Sequence, residues 1–504
     1  ICSAYIEGFP RPAQRGEGRG EGRSMSSSPS LHDFAALGAA DIAARVHAGD
    51  ASAREVAECA LARIDAIGAR YNAFTLVMRE RALAEADAID RMRAQRRVLP
   101  PLAGVPYAVK NLFDIEGVTT LAGARIEASR PPATSDATLV ARLRDAGAVL
   151  VGALNMEEYA YGFVTENAHY GPVRNPHDVT RVAGGSSGGS AAALAAGLVP
   201  LTLGSDTSGS IRVPAALCGV FGLKATYGRL SRQGAYLFAA SFDHVGPMAR
   251  SVTDLALAYD AMQGPDARDI ACAQRASEPV SATLEGGAGD LRGADELRIA
   301  VADGYFRDNA GDDACAALDI AAHALGVTRS VTLPEIDRVR AAGFIITASE
   351  GAQLHLDDLR TRANDFDPAT RDRFLAGTMV PAAWVIEAQR FRAWFRARMH
   401  EVFAGVDVIL APATPVAATP IGAASFDVRG QSMPPRTHLG LMTHAFSFIG
   451  LPVVAVPVAS APGRLPLGVQ VIAAPWREDH AMRIARLLEK SGIAKSRIAA
   501  DALR

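Results

Sequence analysis

GGSSGGSAAALAAG, residues 184–197, sets two serines between glycine pairs and runs straight into an alanine-rich apolar stretch. A flexible Gly/Ser linker is followed by polar residues. Here the next run has the composition of a buried helix, so the stretch reads as a tight backbone feature inside a core. Three readings stand. Gly185-Ser186-Ser187-Gly188-Gly189 fits the G-x-S-x-G nucleophile elbow, but that elbow follows a buried strand, and the preceding NPHDVTRVA is polar with a proline. A phosphate cradle at a helix start needs Lys-Ser/Thr after the glycines, and Ser190-Ala191 stands there. The third reading is a serine held by an unusual backbone for a polar relay, with glycine supplying the conformational freedom.

Outward from this stretch the pattern alternates helix and strand, the α/β signal. TLVARLRDAG (138–147) is amphipathic with Gly147 as its stop, and AVLVGAL (148–154) follows as a strand. AGVPYAVK, LVPLTLGSD, ELRIAVAD, VDVILAPAT, LPVVAVPV and PLGVQVIAAP read as further strands. RFRAWFRARMHEVFAG and a segment around HAMRIARLLEKSG read as helices. Residues 31–95 are helical by period, and 326–385 are mostly helical with a weaker pattern. Residues 264–295 are rich in Gly, Ala and Asp and read as a surface excursion. Residues 1–24 read as a disordered tail or start-site artefact ahead of Met25. That leaves a single domain over 25–504, with N-terminal helices at about 31–95, a core at about 100–262 and a helical insertion at about 310–404.

The chain has 504 residues, 49% hydrophobic and 21% charged, the balance of a well-cored globular protein. A formal net charge of −2 and the absence of a long basic run argue against nucleic-acid binding. Five scattered cysteines without a CxxC pair exclude a zinc framework and fit a reducing cytoplasm. For Cys218, packing is the expected role. No stretch reads as a membrane span or signal peptide.

Two further stretches bear on chemistry. Lys110 directly follows the apolar strand GVPYAV. Such a lysine either reaches solvent or is held neutral by desolvation, and a neutral lysine is a usable base. Holding it neutral at pH 7 means a shift of about three units, or about 4 kcal/mol. GSDTSGSIR (204–212) follows the apolar run LVPLTL and offers consecutive backbone N–H groups leading into Ser210, which is what an oxyanion hole requires.

Lys110, then Gly-Gly-Ser-Ser-Gly-Gly-Ser, then Gly-Ser-Asp-x-x-Gly-Ser-Ile-Arg, in that order, resembles the amidase signature family. The resemblance spans nearly all of residues 31–490 and includes NMEEYAYG (155–162), GPVRNP (171–176), CGVFGLKATYGRLS (218–231), FDHVGPMARSV (242–252), ILAPATP (409–415) and GLPVVAVP (450–457). It implies a three-layer α/β/α fold around a large mixed sheet. It implies Ser210 as nucleophile, Ser186, behind a cis peptide bond, as relay, and Lys110 as base. The N–H groups of Thr207, Ser208 and Gly209 would bind the oxyanion, and Ser187, Asp206 and Arg212 would support the loop. The reaction implied is acyl transfer through an acyl-Ser210 intermediate, with no metal or cofactor.

Ser208 departs from the glycine usual there. Were a positive φ needed, serine would add about 1–2 kcal/mol of strain. Ala183 likewise replaces a usual proline.

Within the family, GRLSRQGAYLFAASFDHVGPMARS is most similar to the 1-carboxybiuret hydrolase subgroup, which cuts a ureide in s-triazine (cyanuric acid) degradation. The alternatives are the glutaminase component of a tRNA-dependent amidotransferase, a general small-amide amidase, or an inert scaffold, against which the intact Lys110, Ser186 and Ser210 argue. The implied partners are a small amide or ureide and a small accessory subunit, within a homo- or hetero-oligomer and without nucleic acid or membrane. A carboxylated substrate suits a guanidinium, and Arg436 in PPRTHLGLMTHAFSFIGLP is the candidate, the plain alternative being a surface arginine. His438 and His444 in the same segment read as packing or surface residues.

Overall fold

The computed structural model describes residues 31–285, 296–458 and 463–503. The readings placed on residues 1–24, on Met25 and on residues 286–295 lie outside the described residues. Eleven strands form one sheet: β1 (Phe74–Val77), β2 (Pro106–Lys110), β3 (Val149–Leu154), β4 (Leu201–Asp206), β5 (Phe221–Lys224), β6 (His244–Ala249), β7 (Ile299–Ala302), β8 (Ser330–Val331), β9 (Val408–Pro412), β10 (Val453–Val458) and β11 (Leu467–Ala473). Their spatial order is β1-β3-β2-β4-β6-β5-β10-β11-β9-β7-β8. The neighbours β3-β2-β4 and β9-β7-β8 are parallel, and every other pairing is antiparallel. The sheet is thus mixed, and its central strands are buried along their whole length, as near-continuous apolar runs demand.

Helices α1 (Arg79–Ala94), α2 (Gly188–Ala195), α3 (Arg212–Cys218), α4 (Val252–Met262) and, near the C-terminus, Glu478–Lys490 pack on the sheet and give the three-layer α/β/α architecture. Helices α5 (Ile336–Leu354), α6 (Pro368–Thr378) and α7 (Ala382–Gly405) pack mainly on one another. Helix α5 also contacts α8 (His444–Phe448), which leads into the site. Among the described residues no helix is long and apolar enough to cross a membrane.

One expectation needs correction. The segment 31–95 is not wholly helical. FTLV leaves the helical run and pairs antiparallel with β3, because aromatic and β-branched residues suit an edge strand. The stretch from 264 runs over the surface as expected, and its described part is anchored to the core. Asp266 accepts hydrogen bonds from Thr138 Oγ1 (2.5 Å) and Ser231 Oγ (2.8 Å), and Asp269 pairs with Arg232 at 3.0 Å. These buried carboxylates staple it to the core.

The glycines of the opening stretch are there for close approach. A Cβ on Gly185 would lie 2.7 Å from the Val164 nitrogen, and one on Gly189 would lie 2.5 Å from the Asn155 carbonyl oxygen. Backbone cannot give way as a side-chain tip can, so the start of α2 sits against its neighbours only without side chains.

Candidate active site

Lys110 ends β2 and lies beside β4, which runs parallel to it with Val109 opposite Leu203. Its side chain is fully buried. Nζ is 2.6 Å from Ser186 Oγ and 2.8 Å from Ser205 Oγ. Burial lowers its pKa to about 7, while the carboxylates of Asp243 and Asp206 pull the other way. Near neutral pH its amine and ammonium forms therefore coexist, as a proton-transfer group requires.

Ser186 follows a cis peptide bond from Gly185, and its carbonyl accepts from the Glu157 N–H at 3.1 Å. Ser187 acts differently. Its hydroxyl donates to the Ser205 carbonyl at 3.2 Å and accepts from the Ser205 N–H at 3.3 Å. It thereby clamps the residue whose own hydroxyl holds Lys110. The sequence reading missed Ser205, although a hydroxyl ending a strand immediately before Asp206 was a visible signal.

The loop after β4 hangs on one buried ion pair. Asp206 and Arg212, both with fully buried side chains, meet at 2.9 Å. Burial alone would push the Asp206 carboxyl up, but the Arg212 guanidinium overrides it and holds it well below the usual carboxylate range. Arg212 also donates to Ser447 Oγ (2.6 Å), Gln470 Oε1 (2.7 Å) and the Thr443 carbonyl (3.0 Å). The backbone N–H groups of Thr207, Ser208 and Gly209 donate to no described residue. The Thr207 hydroxyl donates to Asp243 at 2.5 Å, and burial pushes the Asp243 carboxyl up to about 6.

Ser210 is buried, its carbonyl accepts from the Ser187 N–H at 3.3 Å, and its hydroxyl bonds no described residue. Ser208 does not have a positive φ, so the strain considered for serine there does not arise. The turn instead uses Gly209, at φ 144°, where a Cβ would overlap the Thr443 side chain. Thr443 Oγ1 donates to the Ser208 carbonyl. Neither Thr443 nor Gln470 was singled out in the sequence, because each lies more than 230 residues from the loop it supports.

Arg436 stands elsewhere than free in a pocket. Its guanidinium pairs with the buried Glu157 carboxylate and donates to the Glu166 carbonyl at 3.0 Å. Two guanidiniums on the helical wall are held only by neutral groups among the described residues. Arg373, on α6, donates to the Tyr161 carbonyl at 2.6 Å and lies 3.4 Å over the Tyr161 ring. Arg340, on α5, is 3.0 Å from His438 Nε2 and 5.0 Å over the Phe344 ring. Among the described residues neither has a carboxylate within ion-pair distance. The Phe344 ring lies 5.3 Å from that of His444, which adjoins Thr443, the residue whose hydroxyl donates to the Ser208 carbonyl. His444 is buried, with Nδ1 2.7 Å from the Gly440 carbonyl, and burial lowers its pKa to about 3. Cys218 is buried as well, its thiol pushed up by burial and donating to the Ala183 carbonyl at 3.2 Å.

Residues 55–482 match the family model described as Amidase. The chain is 56% identical over 453 residues to AtzE, the 1-carboxybiuret hydrolase subunit of Pseudomonas sp. (strain ADP), covering 89% of this chain and 97% of the other. It is 38% identical over 480 residues to a glutamyl-tRNA(Gln) amidotransferase subunit of Chromohalobacter salexigens, covering 90% and 96%. A solved chain, described as part of a vestigial protein complex that reveals the evolutionary origins of an s-triazine catabolic enzyme, superposes with a TM-score of 0.89 at 55% identity, covering 92% of this chain and 100% of that one. With the family's order of lysine, serine pair and Gly-Ser-Ile-Arg segment folded around one buried centre, the chain belongs to the amidase family and is a hydrolase of amide carbon–nitrogen bonds.

Proposed function

We propose that the chain hydrolyses a small carboxylated ureide of the 1-carboxybiuret kind, with Ser210 as nucleophile, Ser186 as relay and Lys110 as base. The observation that carries this reading is the buried Lys110 amine, 2.6 Å from Ser186 and poised with a pKa of about 7. The Ser210 hydroxyl turns toward Ser186 and passes its proton there as Ser186 gives its own to neutral Lys110. The Ser210 oxygen bonds to the carbonyl carbon, and the unpaired N–H groups of Thr207, Ser208 and Gly209 take up the oxyanion charge. Collapse breaks the C–N bond. The leaving nitrogen receives the proton from Ser186, which Lys110 reprotonates, and ammonia departs. Water then attacks the acyl-Ser210 ester through the same relay and frees the acid and the serine.

Ser187, Asp206 and Arg212 hold the loops. Arg340 and Arg373, rather than Arg436, supply charge for a substrate carboxylate, since Arg436 is already neutralised by Glu157. The similar protein from Pseudomonas is by name one subunit of its enzyme, which supports a small accessory subunit here too. Strands from both the signature stretch and the C-terminal segment share one sheet, which supports treating 25–504 as one catalytic unit. The thiols of Cys218, Cys272 and Cys315, which form no disulfide among the described residues, fit work in the cytoplasm.

The test is ammonia release from carboxybiuret, biuret, glutamine, asparagine and simple primary amides, with Ser210→Ala alongside. Release from the carboxylated ureide, lost in Ser210→Ala, is expected. Release from glutamine alone would move the assignment to an amidotransferase-type glutaminase, and wild-type rates retained by Ser210→Ala would sink the mechanism.

A further inference from the structure

Two buried bases stand behind the turn that carries Ser210, and the mechanism above uses neither. Lys224 ends β5, and His244 opens β6 directly opposite Asp206 of β4. Both are buried, and burial holds each well below its ordinary pKa. The imidazole is therefore neutral at pH 7 and carries one ring proton. Nδ1 lies 3.1 Å from the Asp206 carbonyl oxygen, which can only accept, so the proton sits on Nδ1. Nε2 is then the acceptor. It lies 3.3 Å from Lys224 Nζ, which also donates to the Leu451 carbonyl. The Tyr227 ring packs edge-on against the imidazole at 5.5 Å.

This line of donors ends on a peptide with a second use. The Asp206–Thr207 peptide is trans, so its carbonyl and the Thr207 N–H point opposite ways across one plane. Asp243, the neighbour of His244, grips the same peptide from its far side by accepting from Thr207 Oγ1 at 2.5 Å. Held at its oxygen and at the next side chain, the peptide keeps one free polar group, the N–H. A carbonyl that accepts a hydrogen bond polarises its own amide and makes the N–H a stronger donor. We propose that His244, backed by Lys224, is a positioning residue for the oxyanion site: it aims the Thr207 N–H at the charge developing on the substrate oxygen and strengthens its donation. This rests on the reading of Ser210 and the Thr207, Ser208 and Gly209 N–H groups given above.

His244→Leu and His244→Asn test it, because the two side chains share one branched outline and only asparagine sets an N–H where Nδ1 stands. kcat and KM are measured on the amide that wild type hydrolyses fastest, beside the affinity for phenylboronic acid, which forms a tetrahedral adduct with a nucleophilic serine. His244→Leu is expected to lower kcat and boronate affinity each about tenfold, short of the hundredfold or more for a donor removed outright. KM is expected to stay within about twofold, since the lost interaction belongs to the transition state. His244→Asn is expected to recover most of the loss. Where leucine is not tolerated, Lys224→Met removes the donor to Nε2 and is expected to cost about threefold in both readouts. Unchanged kcat and boronate affinity in these variants, with only a lowered urea midpoint, would make the pair structural and overturn the proposal. So would an asparagine variant no better than leucine, or equal losses in KM and kcat. The boronate arm needs no substrate and so tests the inference even where the substrate assignment fails, whereas boronate affinity retained by Ser210→Ala would sink the underlying reading of the nucleophile.

Discussion

The loops around Lys110 and the helical wall of α5 to α7 treat charge in opposite ways. In the loops every buried charge has a partner built for it. Asp206 meets Arg212, Arg212 meets Ser447 and Gln470, and Lys110 is held by two hydroxyls. In the wall Arg340 and Arg373 lie over aromatic rings without a counter-charge among the described residues, and Glu387 and Arg390 pair with none of those residues either. A saturated network has one low-energy arrangement and suits a reaction that must be repeated identically. An unsaturated one waits for a ligand or partner. On the mechanism proposed above, the reaction belongs to the sheet and its selectivity to the helices.

Asp206→Asn should break the saturated side, because it leaves Arg212 charged, buried and uncompensated. A loss of about 3–5 kcal/mol in urea unfolding is expected, and a loss under 1 kcal/mol would mean that the pair is dispensable.

Lys110 should set the pH response. Its amine must be unprotonated to act, so kcat/KM should fall about tenfold per pH unit below about 7 and level off above it. Stability should follow the same group. Between about 7 and the ordinary lysine value the unfolded chain binds a proton that the folded chain does not, so this contribution to stability rises with pH. Lys110→Met should lose both the activity and that slope.

On the unsaturated side, Arg373→Gln and Arg340→Gln should each raise KM for a carboxylated ureide about tenfold, in the range of one lost charge-assisted hydrogen bond. Hydrolysis of an uncharged amide should hardly change. Equal losses on both substrates would make these arginines structural. The smallest effect is expected from Ser208→Gly, within about twofold in kcat, since its φ is already accessible to serine.

Where local rules govern, the sequence was readable. Apolar runs marked most strands of the sheet, and the residues of the Lys110 centre stood in motifs of fixed spacing. Phe221–Lys224 and His244–Ala249 were seen as motifs and not as strands, because glycine, lysine and proline interrupt their apolar pattern. Thr443 and Gln470 escaped notice since their partners come from distant chain. Arg436 drew attention through its charge type, and only the fold reveals that Glu157 already occupies it. Periodicity reports faces. It does not report who stands opposite.

The strand order carries a consequence for how the protein is made. β10 and β11 lie between β5 and β9 in mid-sheet, and no other described strand bridges them. A chain still being synthesised up to residue 450 therefore has a core split in two, each half showing an open strand edge of the kind that invites misassembly. Arg212 also lacks Gln470 until that same hairpin emerges. Closing the sheet and completing the brace behind Ser210 are one event, so a nascent chain completes this centre only after residue 473 has left the ribosome.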